Sequence, residues 1–214
     1  MDGSSIIAAP SLAVGGTFTI LDNAGSAAVS GTFANLPQGA EFFADSQWWR
    51  ISYTGGTGND VVLTRIAPTA WQNWQAVNFG TNANNSAIAG DFADFDRDGL
   101  VTRLEYAFGG NPNVASQTSR PRSITAGGKL AITFTRILAN TDITMTVQAS
   151  DSVSGPWIDL ARSTAGGAFV IVTAGSVVTE TGSGATRSVE VRDLYLITDP
   201  AHPMRFLRIG VTRP

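Results

Sequence analysis

The chain contains no cysteine, which excludes disulfides, thiolate metal sites and cysteine nucleophiles. Histidine is nearly absent as well. The single one, His202, sits in Asp199-Pro200-Ala201-His202-Pro203, where a surface-loop role is expected rather than that of a general base. Charge is scarce, at 14% of residues against roughly 25% in an average soluble domain. Lys129 is the only lysine, the net charge is −3, and no basic run alternates with aromatics, so a nucleic-acid partner is not expected. No stretch is long and apolar enough to span a bilayer. The opening Met1-Asp2-Gly3-Ser4-Ser5 has neither a basic n-region nor an apolar h-region, so no signal peptide is read here. If the protein is exported, the chain is then expected to be a piece of a longer precursor or to carry an added Met1. A G-x-S-x-G elbow, a P-loop and a dinucleotide fingerprint are all missing. Outside one acidic segment the carboxylates, such as Glu41, Asp142, Asp151, Glu180 and Glu190, are scattered singly, and solvent-face or turn duty is expected of them. The chain therefore reads as non-enzymatic.

What the chain does have is a hydrophobic fraction of 43%, enough for a real core. Residues 6–66 alternate short apolar segments with Gly- and Asn-rich turns: Thr17–Leu21, Val29–Phe33, Trp49–Tyr53 and Val61–Leu63 read as strands. From Ala67-Pro68 the period changes. Trp71, Trp74 and Val77 are spaced for one face of a short helix, with Thr69 as its N-cap. Val101, Leu104 and Phe108 mark a second helix, stopped by Gly109-Gly110 and Pro112. Strands return at Leu130–Ile137, Ile143–Ala149, Trp157–Ala161, Phe169–Thr173, Ser188–Asp193 and Phe206–Val211, a spacing that fits a β-sandwich. The expected architecture is mainly β, in three parts: a β unit over 1–66, a helix–loop–helix connector over 67–115, and a C-terminal β-sandwich over 116–214.

The sharpest motif lies in the connector. Asp94-Phe95-Asp96-Arg97-Asp98-Gly99-Leu100-Val101-Thr102-Arg103-Leu104-Glu105 matches the twelve-residue Ca²⁺ loop D-x-D-x-D-G-x₅-E. Calcium prefers six to eight hard oxygens, and alternate positions of a turning loop converge to supply them. Asp94, Asp96 and Asp98 are the carboxylate ligands expected at positions one, three and five. Leu100 offers its backbone carbonyl, Thr102 its hydroxyl directly or through water, and Glu105 a bidentate carboxylate from the exit helix. Gly99 permits the bend, and Val101 is expected to anchor the loop inward. The bland reading of such a cluster is a solvated turn capping a helix. Gly55-Gly56-Thr57-Gly58-Asn59-Asp60-Val61-Val62-Leu63 fits a calcium nonapeptide once, but that motif works by stacking, so a glycine-rich turn is expected. Trp48-Trp49 and Trp71/Trp74 could form a sugar platform. Neighbours on a strand face opposite sides, however, so Trp48 and Trp49 cannot share one, and one of them is expected in the core.

Gly16–Asn23, Gly31–Pro37 and Ile51–Leu63 together resemble the closing turns of autotransporter-associated β-strand repeat proteins, which are large bacterial surface passengers built as parallel β-solenoids. Ala93–Leu100 with Leu104–Gly109 is similar to the calcium-loop-plus-helix element that often follows them. Phe206–Thr212 is similar to the last strand of their C-terminal β module. Phe95 and Arg97 depart from the pattern, standing where Pro or Gly is frequent, but neither is a ligand. No long repeat array precedes the solenoid-cap-like unit, which leaves its strand edge uncovered. The resemblance implies a secreted or cell-surface location and no catalysis. The expected function is structural: Ca²⁺ staples the chain and fixes the angle between its β units, and copies self-assemble by strand addition, with Ile6–Ala9 as a donor segment. The alternative is a secreted binding module for glycan or for cell-surface anchoring.

Overall fold

A computed structural model describes residues 12–213, so the donor segment Ile6–Ala9 lies outside the described residues. The chain divides into two compact units, Met1–Asn85 and Ser86–Pro214. The first helix of segment 67–115 belongs to the first unit, and the acidic loop with the second helix belongs to the second.

The first unit is a four-stranded sheet of β1 (Thr17–Leu21), β2 (Glu41–Ala44), β3 (Gln47–Gly55) and β4 (Asp60–Ile66), ordered β1-β4-β3-β2. Every pairing in it is antiparallel. This corrects the expectation of parallel, solenoid-type pairing for these residues, and the turns give the reason. Asp45 and Ser46 both have positive φ, 47° and 59°, and together form a two-residue turn between β2 and β3. Such a turn reverses the chain onto its own neighbour, whereas a parallel partner needs a crossover of a dozen residues or so.

β3 is a central strand, and its alternation builds two buried faces. Ile51 and Tyr53 join Val61 beneath Val29, Leu36, Ala40 and Phe42. Trp48 packs on Phe43 from the other side, with ring centroids 5.5 Å apart. Both Trp48 and Trp49 are therefore buried, where one was expected. Val29–Phe33 is not a strand. The Tyr53 hydroxyl accepts from Phe33 N and donates to Leu36 O, each at 2.7 Å, and holds this stretch as an irregular cover. The glycine-rich nonapeptide has a similar task. The Asn59 side-chain amide donates to the carbonyls of Asn23, Gly25 and Ala27. The Asp60 carboxylate accepts from Thr57 N and Asn23 N, which holds its pKa below the usual value.

α1 (Ala70–Phe79) opens on the expected cap, Thr69, whose side chain accepts from Gln72 N while the Gln72 side chain reaches back, forming a capping box. It buries Trp71, Gln75 and Phe79, while Val77 is 84% exposed. The buried stripe thus follows i, i+4, i+8 from Trp71, and the expectation that Val77 shared its face is corrected. A 3₁₀ turn, Gly80–Asn84, ends the unit.

The second unit starts with α2 (Ser86–Ala89) and α3 (Thr102–Phe108). Eight strands follow: β5 (Arg122–Ala126), β6 (Lys129–Ile137), β7 (Thr144–Ser150), β8 (Ile158–Thr164), β9 (Val170–Ile171), β10 (Val177–Thr181), β11 (Thr186–Leu196) and β12 (Phe206–Thr212). They form two four-stranded sheets, β10-β11-β6-β5 and β12-β7-β8-β9, each antiparallel between neighbours. Ile132 and Phe134 on one sheet, with Val189 and Val191 beside them, meet Met145, Val147, Ala149 and Leu160 from the other, all buried. The result is a sandwich core built from alternate residues.

α3 is part of this core. The Phe108 ring lies 5.9 Å from Phe134, the Asn140 amide donates to Tyr106 O at 2.5 Å, and the Tyr106 hydroxyl donates to Asp142 at 2.6 Å. Gly109 closes the helix in the left-handed region, at φ 76°. A Cβ there would also meet Ile137 Cδ1 at 2.8 Å. The acidic loop is thereby seated on the sandwich.

Candidate metal centre

The loop is closed at its base before any ligand is considered. Thr102 donates twice to Ala93 O, from its backbone N at 2.7 Å and its hydroxyl at 2.8 Å. Arg103 N donates to Asp91 O, and the Asp91 carboxylate faces Arg103 at 3.5 Å and Arg213 at 2.7 Å. Residues 91–93 are thus tied to the first turn of α3, and the intervening chain must bulge. Gly99, with φ 85°, and Arg97, with φ 61°, make the bend. Glycine takes that region at little cost, whereas an arginine held there pays for the conformation.

The bulge brings Asp94, Asp96 and Asp98 together. One carboxylate oxygen from each lies within 4.8 Å of the others, and all three residues are half-buried. Backbone N–H groups orient them. Asp98 N donates to Asp94 Oδ1 (3.1 Å) and Asp96 Oδ1 (3.2 Å), Gly99 N to Asp94 Oδ2 (2.9 Å), and Leu100 N to Asp98 Oδ1 (2.7 Å). Leu100 buries its side chain, whereas Val101 is only half-buried, so Leu100 is the loop's deeper anchor.

Glu105, one turn into α3, is not within that tight group but feels it. It is 2% exposed, and among the described residues its Oε2 has no hydrogen-bond partner. Burial first, then the negative charges of Asp96, Asp98 and Asp94, pushes its pKa up to about 8. Asp96 is raised too, by burial and by its neighbours Asp98 and Asp94 against a compensating N–H bond from Asp98, and its buried Oδ2 also has no partner among the described residues. A self-satisfied capping turn has no reason to bury two orphaned carboxylate oxygens beside two more acids. Thr102, fully buried, commits its hydroxyl proton to Ala93.

Sequence spacing missed a second ring of residues. Ser116 N donates to Asp98 Oδ2 at 3.0 Å, and Gln117 Nε2 donates to Asp98 O at 3.2 Å. The Arg120 guanidinium donates to the same carbonyl. These partners come from the α3–β5 connection, with nothing periodic to announce them.

The remaining polar candidates serve as anchors. His202 Nδ1 is 3.0 Å from Asp151, and its ring stacks on Tyr195 at 3.5 Å. Glu41 pairs with Arg50, Glu180 with Arg136, and Glu190 with Arg192. Glu41 lies on the solvent face expected of it, with an arginine partner that the sequence did not announce. Trp71 is buried and stacks on Trp74 with centroids 5.5 Å apart. No protein-family model matches the chain and no curated protein is similar to it, which leaves the loop's own geometry as the basis for function.

Proposed function

We propose that this is a non-enzymatic structural protein of the cell surface or extracellular space, in which Ca²⁺ staples the 94–105 loop to the sandwich. One observation carries the cation: a buried Glu105, whose Oε2 has no hydrogen-bond partner among the described residues, beside three converged aspartates. The donors are carboxylate oxygens, a set suited to a hard divalent ion such as calcium. Asp94, Asp96, Asp98 and Glu105 would hold the ion, with the Leu100 carbonyl and Thr102 completing the set. The bound ion supplies counter-charge, and the residues supply the link from loop to α3 and from α3 to β6. Binding in the ~10⁻⁴–10⁻³ M range is expected, as for other extracellular modules. Calorimetric titration should show one site per chain and no heat for Asp96→Ala. Equal heats from both proteins would remove the site.

Assembly by strand addition is part of the same reading, and the two edges of the first sheet differ. On β2 the Asn84 side chain accepts from Phe43 N at 2.6 Å and donates to Phe43 O at 2.7 Å, so it occupies that edge. Among the described residues β1 pairs only with β4. It carries no charge, and it exposes Phe18, Ile20 and Leu21. Natural edge strands are normally protected by charge or proline. β1 is therefore the edge assigned to a second copy of the chain. Sedimentation velocity should show larger species that Ile20→Lys abolishes, and a wild type that stays monomeric at every concentration refutes the assembly.

A further inference from the structure

We propose that Arg120 sets the strength of the cation site, as a fixed positive charge that holds its affinity down. This rests on the reading of 94–105 as a cation loop. Arg120 Nη2 donates to the backbone carbonyl of Asp98 and lies 3.8 Å from Asp98 Oδ1. The Asp98 side chain is 3% exposed, so this charge acts on a carboxylate largely removed from water. The guanidinium is also held in place. A Cβ on Gly99 would come within 2.9 Å of Nη2, so the side chain lies directly over the bend of the loop. Among the described residues its buried Nε has no hydrogen-bond partner.

Asp98 is fully engaged from this side. Its Oδ2 accepts from Ser116 N, its Oδ1 from Leu100 N, and its carbonyl from both Gln117 and Arg120. Arg120 does not touch the bound ion. It positions Asp98 and offsets one of the four acidic charges of the loop. An incoming divalent ion is attracted by the carboxylates and repelled by Arg120, and loop affinity follows the charge of its surroundings.

Arg120→Gln keeps an amide donor for the Asp98 carbonyl and removes the charge, whereas Arg120→Lys keeps the charge and loses the planar fork. Calorimetric titration of the folded full chain with Ca²⁺ is expected to give about fivefold tighter binding for Arg120→Gln at low salt, shrinking as the salt rises toward 1 M. Arg120→Lys should stay within about twofold of wild type. The gain should be larger for a trivalent lanthanide than for Ca²⁺, because the repulsion scales with ion charge. A merely structural contact would show neither the salt nor the valence dependence. If wild type binds and Arg120→Gln binds equally or more weakly, the proposal is overturned and Arg120 is only a tie between the α3–β5 connection and the loop. If wild type itself does not bind, the cation reading falls, and this one with it.

Discussion

Kept free of divalent cations, the protein is expected to lose stability as the pH rises from about 4.5 to 8. The cause is Glu105, which is buried beside Asp94, Asp96 and Asp98 and whose pKa is pushed up from 4.5 to about 8. In that window the folded chain keeps a proton that the unfolded chain has released. The stabilising contribution is fully present below pH 4.5 and is lost as pH climbs through 8, to a total of up to about 5 kcal/mol. Asp96, raised mainly by burial, adds to the same trend. The carboxylates held low by partners, Asp60, Asp151, Glu41 and Glu180, titrate below this window and so do not offset it. Urea unfolding in metal-stripped buffer should therefore give falling stabilities from pH 5 to 8, and Glu105→Gln should flatten the slope. Calcium should reverse the slope, because it binds the deprotonated carboxylate. A rise with pH in stripped buffer would mean that Glu105 is solvated in the folded protein.

The largest loss from a single substitution is expected at Asp193. It is fully buried on β11 and receives two bonds from Arg205, each at 2.6 Å, as well as Leu194 N at 2.7 Å. Arg205 is itself 5% exposed and lies 5.0 Å from the centre of the Tyr195 ring. Asp193→Ala leaves that guanidinium buried without its main partner. The expected cost is about 3–5 kcal/mol, read as a lowered urea midpoint at unchanged m-value. Asp151, which also pairs with Arg205, is 54% exposed. Asp151→Ala should leave the urea midpoint nearly unchanged, because solvent already screens that pair. Equal costs for the two variants would show that the Asp193 pair is not shielded from water.

Strand periodicity was legible wherever a strand lies centrally and buries alternate residues, as in β3, β6, β7 and β11. β2, β5 and β10 were not legible, because Glu41–Ala44 is too short to show a period and Arg122–Ala126 and Val177–Thr181 bury little. The edge strand β1, by contrast, was read from the alternation of Phe18 and Ile20. Val29–Phe33 was read as a strand from its composition, yet Tyr53, reaching across from β3, bonds it into an irregular cover. A partner 20 or more residues away leaves no local signal. The same holds for the acidic loop. The spacing of its carboxylates is written in the sequence, because a turning loop has its own period. The hold on Asp98 by Ser116, Gln117 and Arg120, and the burial of Glu105, arise only when α3 packs on the sandwich. Strand direction in the first unit was read from resemblance, while the Asp45-Ser46 turn decided it locally.

Thermal unfolding at pH 8, in millimolar Ca²⁺ and in metal-stripped buffer, tests the staple most directly. There Glu105 is at its most costly without a counter-ion, and ligand linkage is at its strongest. The account predicts a midpoint that climbs with each decade of Ca²⁺ in wild type and stays fixed in Asp96→Ala. Superimposable wild-type curves with and without calcium would contradict it.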